Sequence, residues 1–170
     1  MNDILDRWNQ ISQQEAAQDI LSCCGSAAWA RELAARRPFP DEASLISASD
    51  DIWRRLPAHD WLEAFAKHPR IGERKAPVAA STQSASWSAQ EQQSVATATE
   101  SVQSALAEAN REYEQRFGRV FIVCATGKSA AEMLYTLKQR LENDEATELQ
   151  AAADEQRKIT NLRLKKWLSL

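Results

Sequence analysis

From Ser88 to Phe117 the apolar residues Val95, Ala98, Val102, Ala105, Ala109 and Tyr113 recur at steps of three and four. Steps of that size line one face of a helix. At about 1.5 Å per residue, an unbroken helix over this stretch reaches roughly 45 Å, the length of a whole domain. Ser88-x-x-Glu91 matches the capping-box pattern that opens a helix, and Gly118 is a natural stop. Composition points the same way. Only 4 Gly and 5 Pro interrupt 170 residues, and Ala, Leu, Glu, Gln and Arg crowd out Val and Ile.

The flanking segments read as shorter helices. Ile4, Leu5, Trp8 and Ile11 share a helical face. Ser12-x-x-Glu15 is a capping box before Ala16, Ile20, Leu21 and Cys24, and Gly25 ends that helix. Ser26 caps the next, with Trp29 and Leu33 on one side and Pro38 and Pro40 closing it. Leu45, Ile52, Trp53 and Leu56 fit a helix from Asp41 to Leu56. Another begins near His59 and buries Trp61, Leu62 and Phe65 before Pro69. Residues 70–87, with Gly72, Pro77 and a Ser/Thr-rich run, read as a long connection, a kind often functional or mobile. Val120 to Ala125 is a lone β-like run, too isolated for a sheet. Ser129-x-x-Glu132 opens a helix lined by Met133, Leu134, Leu137 and Leu141. The last helix carries Leu149, Ala152, Ile159, Leu162 and Trp167. The expectation is an all-α fold, one domain over residues 1–170, with about eight helices and a short extended segment near residues 119–125.

Bulk properties exclude several classes. At 44% hydrophobic and 26% charged residues the chain is globular, and one domain is the default for its length. A net charge of -3 gives no basic field for nucleic acid. No apolar run approaches the ~20 residues that span a bilayer. The acidic start, Met1 to Asp6, lacks the layout of a secretion signal. Cys23, Cys24 and Cys124 have no CxxC spacing and, beside two histidines, form no zinc set. These features describe a reduced, cytoplasmic protein without a metal.

Four places offer chemistry. His68, at a helix end and before Pro69, is either a dipole-stabilised terminal residue or an imidazole held rigidly for proton transfer near neutral pH. Glu91 is either the reciprocal half of a cap or, with Ser88 and Gln92, part of a polar site at a helix N-terminus. Arg163 lies four residues from both Ile159 and Trp167, so it shares their side of the last helix, whereas Arg157 faces elsewhere. A guanidinium there is either paired structurally or aimed into a cavity, where its fork suits carboxylate or ureide oxygens. The charged run from Arg70 to Lys75 is either a solvated loop or an anion site. His59 reads as solvated or structural, and Cys124 as core.

The order of these features resembles a known family. His68-Pro69-x-Ile71-Gly72, Ser88-x-x-Glu91-Gln92, Asn110-x-x-Tyr113-x-x-x-Phe117-Gly118-x-x-Phe121-Ile122-x-Cys124-Ala125 and Ile159-x-x-Leu162-Arg163-Leu164 together resemble 2-oxo-4-hydroxy-4-carboxy-5-ureidoimidazoline (OHCU) decarboxylase. That likeness implies an all-helical, cofactor-free homodimer acting in urate breakdown, which converts OHCU to (S)-allantoin and CO2. It also implies His68 and Glu91 as the catalytic pair. Pro69, Ser88, Gln92, the main chain at Phe121 and Ile122, and Arg163 would then bind the substrate. Arg70 stands where many members carry aspartate, and Gln93-Ser94 replaces small residues. Two readings from other classes compete: a helical protein-interaction module without catalysis, and a thiol enzyme using Cys124.

Overall fold

The computed structural model describes residues 2–73 and 77–170. Among them are ten α-helices and no strand, so the all-α expectation holds while the count rises from about eight. No described helix is long and apolar enough to cross a membrane. The contacts group the chain into two compact units, one formed by Met1–Ala64 with Arg157–Leu170 and the other by Phe65–Gln156.

The first unit contains α1 (Asp3–Gln10), α2 (Gln13–Cys24), α3 (Ala27–Ala35), α4 (Glu42–Arg55), nearly all of α5 (Ala58–Phe65) and the later part of α10 (Glu145–Trp167). Side-chain caps set the starts. Asn2 Oδ1 accepts the N–H groups of Ile4 and Leu5, both at 3.0 Å. Ser12 and Glu15 form the expected capping box, and Ser26 accepts from the Trp29 N–H. Each such cap is worth about 1 kcal/mol. Trp8 packs edge-on to Trp167, with ring centroids 5.6 Å apart, and its indole N–H reaches the Ala16 carbonyl at 2.9 Å. Leu62 departs from expectation and is exposed. Trp61, Ala64 and Phe65 supply the inward face of α5, and Leu62 sits about 100° round the helix from Trp61.

The second unit contains α6 (Thr82–Glu91), α7 (Gln93–Ala96), α8 (Glu100–Phe117), α9 (Ala130–Arg140) and the early part of α10. The single long helix expected from Ser88 is therefore three. Its true start is Ser81, whose hydroxyl accepts from the Ser84 N–H at 3.0 Å. Ser88 and Glu91 lie in the last turn of α6, so they are no capping box. The irregular connection ends at Ser81 instead of residue 87, and Arg74 and Lys75 of the charged run lie outside the described residues. Thr99 caps α8, and Gly118, at φ +67°, ends it in a left-handed turn that other residues rarely adopt. Leu106, Tyr113, Phe117, Phe121, Met133 and Leu137 form the core here.

The segment after Gly118 is neither helix nor strand as far as Ala125, and Phe121 to Ala125 are buried. Side chains satisfy its backbone instead. Arg140 donates to the Ile122 carbonyl, the Cys124 N–H meets Glu155 Oε1 at 3.3 Å, and Lys128 Nζ donates to the Cys124 carbonyl at 2.9 Å. Arg140 is in turn paired with Glu148, which is fully buried. Glu148 also accepts from Tyr113 Oη at 2.6 Å and from Asn143 Nδ2 at 3.0 Å.

Candidate active site

His68 lies three residues beyond α5, and its N–H donates to the Phe65 carbonyl at 3.1 Å. Both it and Pro69 are buried. Its Nε2 is 2.7 Å from Oε1 of Gln156, a residue of α10 with no exposed surface. An amide oxygen has only lone pairs to offer, so Nε2 is the donor in this contact.

Ile71 and Gly72 are held by two side-chain amides. Gln92 Oε1 accepts the Gly72 N–H at 3.0 Å, and Asn110 Nδ2 donates to the Ile71 carbonyl at 2.9 Å. Gly72 itself has φ +92°. The segment after His68 is thus tied to the end of α6 and to α8. Ser88 and Glu91 sit in the last turn of α6 and Gln92 closes it, its N–H bonded to the Ser88 carbonyl, so this turn is a helix end and not the expected helix start. The anion-binding argument made for a helix start fails there, and side chains and carbonyls remain as its chemistry.

A cavity of about 760 Å³ opens between these pieces of the second unit. Pro69, Ile71, Ser88, Gln92 and Asn110 line it, whereas His68, Glu91, Phe121 and Ile122 are not in its wall. Arg70, at its rim, donates from Nε to both oxygens of Glu114, at 2.8 and 2.9 Å, and pairs with Glu73. Carboxylates thus already partner Arg70.

Glu91 is half-buried and lies within electrostatic reach of Cys124. Burial pushes the Cys124 thiol up, Glu155 and Glu91 add to that, and Lys128 opposes it. This is the reverse of what a nucleophilic thiolate requires, so the thiol-enzyme reading loses its support. Glu155 neighbours Gln156 on α10, so one turn of that helix serves both the Cys124 backbone and the His68 ring. The Ile122 carbonyl is occupied by Arg140, whose guanidinium also sits 4.6 Å over the Phe121 ring.

Arg163 belongs to the first unit, where it is among the largest fully buried side chains. Its Nη1 reaches the Ser22 carbonyl at 3.4 Å, and its charge draws down the Cys23 and Cys24 thiols against their burial. Arg157 pairs with Asp50 at 3.1 Å, on a different face as its spacing implied. His59 is exposed beside Asp60. Sequence reasoning missed Gln156, Glu155, Arg140 and Glu148. None carries a motif, and all four read as polar positions on helices.

Known proteins match this arrangement. The OHCU decarboxylase family description matches residues 9–165. The uric acid degradation bifunctional protein TTL of Arabidopsis thaliana is 39% identical over 147 residues, which cover 86% of this chain and 45% of that protein. The uric acid degradation bifunctional protein PucL of Bacillus subtilis is 30% identical over 163 residues, 94% of this chain and 32% of that one. The chain therefore spans less than half the length of these curated relatives. A crystal structure of OHCU decarboxylase in the presence of (S)-allantoin superposes with a TM-score of 0.76 at 39% identity, covering 89% of this chain and 99% of that one. Motif order, helical architecture and these matches over most of the sequence agree, and the chain belongs to the OHCU decarboxylase family.

Proposed function

We propose that this chain decarboxylates OHCU to (S)-allantoin and CO2, as one catalytic domain over residues 1–170, with His68 and Glu91 as the acid/base pair. The observation that carries the reading is the setting of His68: a buried imidazole, fixed through one ring nitrogen, in the motif of this family. OHCU bears its carboxylate on a ring carbon beside a C=N group. As CO2 leaves, the electron pair shifts into that group and the nitrogen takes one proton. The planar intermediate then loses its hydroxyl proton as a carbonyl forms, and a ring carbon gains a proton on one face. In sum one OHCU anion and one proton give allantoin and CO2. The substrate's own C=N group is the electron sink, so the chemistry requires no cofactor.

In this scheme His68 delivers the proton to carbon, and Glu91 orients the imidazole or the substrate's N–H and hydroxyl groups. Ser88, Gln92, Pro69 and the main chain at Phe121 and Ile122 hold the ureido arm; the cavity lined by Pro69, Ser88 and Gln92 supports those three, and the resemblance alone supports Phe121 and Ile122. The Ile122 carbonyl, already engaged by Arg140, contributes as a fixed acceptor. Arg163 is assigned an oxygen-rich end of the substrate on the family resemblance alone. A homodimer comes from the same resemblance, whereas a cytoplasmic location rests on the sequence, and three buried free cysteines suit a reducing compartment. Positioning a reaction that already proceeds spontaneously supplies both rate and handedness.

The test is OHCU generated from urate, followed by optical activity. Wild-type protein speeds the appearance of (S)-allantoin, whereas folded His68→Asn and Glu91→Ala variants leave the product racemic. Full rate and stereospecificity in either variant refutes the pair. No effect of the wild type on the reaction favours the interaction-module reading.

A further inference from the structure

We propose that Gln156 is a positioning residue that keeps the His68 ring protonated at Nε2, leaving Nδ1 as the atom that exchanges a proton with the substrate. This rests on the decarboxylase reading above. The contact is short at 2.7 Å, and both partners are buried. Whether the ring is neutral or cationic, the Gln156 oxygen can only accept, so Nε2 keeps its hydrogen in both states. The proton that comes and goes is then the one on Nδ1. A cationic His68 gives that proton to the ring carbon and becomes the neutral Nε2–H form. The hydroxyl proton released as the carbonyl forms restores the charge of the site. A ring free to exchange tautomers would present the wrong nitrogen for part of the time. It would also rotate, and handedness would suffer along with rate.

Gln156 is itself immobilised. It lies mid-helix in α10, directly after Glu155, whose carboxylate holds the Cys124 N–H and Lys128. The helix that fixes the imidazole therefore also fixes the extended segment assigned to substrate binding.

Nitrogen NMR of labelled histidine tests this directly, and His59, the second histidine in the spectrum, is exposed. In the wild type, neutral His68 should give a single Nε2–H pattern. In Gln156→Met, which keeps the bulk but loses the acceptor, the His68 pattern should become averaged. Its kcat should fall about 10- to 100-fold with KM within about twofold, because a mispositioned acid/base group forfeits much of the usual 10²–10⁴-fold. The product should also lose enantiomeric excess. Gln156→Glu, which still accepts, should restore the pattern and most of the rate. An averaged or Nδ1–H pattern in the wild type overturns the proposal even if the methionine variant does not fold. So does a Gln156→Met protein with unchanged pattern, rate and handedness. Turnover with a mobile ring defeats the role of Gln156 alone. A fixed ring without turnover of OHCU defeats the proposed reaction, and the catalytic role of Gln156 with it.

Discussion

Replacing Glu148 by leucine should be the most damaging single change in the second unit outside the candidate active site. The carboxylate has no exposed surface and accepts from Arg140 Nε at 2.9 Å, Tyr113 Oη at 2.6 Å and Asn143 Nδ2 at 3.0 Å. Its loss strands a guanidinium that is itself nine-tenths buried, with the Ile122 carbonyl and the Phe121 ring as its remaining described neighbours. Breaking a buried pair from one side costs about 3–5 kcal/mol, and a hydroxyl left without its acceptor adds about 1 kcal/mol. Packing gained by the leucine offsets part of this, so ~4 kcal/mol is expected. For a chain of this length that is a fall in Tm of about 10 °C. Arg140→Met costs a similar amount alone, since Glu148 is then the stranded charge. The double variant removes both charges and forfeits chiefly the bond to Ile122 and the acceptor of the Tyr113 hydroxyl, about 2 kcal/mol in all. Urea denaturation followed by circular dichroism measures the three proteins. A cost for Glu148→Leu under about 1 kcal/mol, or a double variant equal to the sum of the singles, would refute the idea that these groups stand or fall together.

Alkaline conditions should loosen the fold through Cys24, whose thiol burial raises from 9.0 to about 12. Below pH ~9 both states keep that proton; above it only the unfolded chain releases it. Stability therefore falls as pH climbs toward 12, by up to ~1.4 kcal/mol per pH unit, and Cys24→Ala should remove that share of the slope in urea midpoints. Gly72→Ala adds a Cβ at an ordinary 3.7 Å from Val95 but forces it onto a backbone at φ +92°. It should cost about 1–2 kcal/mol in chemical denaturation and lower activity further by shifting the N–H that Gln92 receives. Arg70→Ala removes two surface ion pairs, to Glu114 and Glu73, and should change stability by less than about 1 kcal/mol in the same experiment.

Helix starts were legible where a short polar residue preceded a single apolar face. Ser12, Ser26 and Ser129 all cap as their spacing implied. Ser88-x-x-Glu91 shows the limit, because the same four-residue pattern inside a helix means nothing for its ends. The real cap, Ser81, lacks the glutamate that makes such patterns visible. The breaks after Glu91 and Ala96 left the apolar rhythm intact for a geometric reason. Three-residue turns, Val95 N–H to the Gln92 carbonyl and Ala98 N–H to the Val95 carbonyl, keep the chain winding almost in phase. Within the site, His68 was found by its motif, and its ring's partner was not. Gln156 lies 88 positions away, at a position that reads as polar on its helix. Glu148 was hidden in the same way, its neighbour Leu149 being the expected core residue although Glu148 is the one fully enclosed.

The extended run from Val120 to Ala125 has a consequence for how the chain reaches its native state. It is uncharged, rich in β-formers and free of proline, the makeup of segments that stack into intermolecular sheets when left open. In the folded protein Arg140, Lys128 and Glu155 occupy hydrogen-bonding positions along that edge that a neighbouring chain would otherwise use. Two of those groups arrive from helices later in the chain, α9 and α10. Until those helices dock, the segment is a sticky strand; afterwards its edge is shielded. Refolding yield should therefore drop steeply with protein concentration, and truncating the chain before α10 should turn a well-behaved fold into an aggregating one.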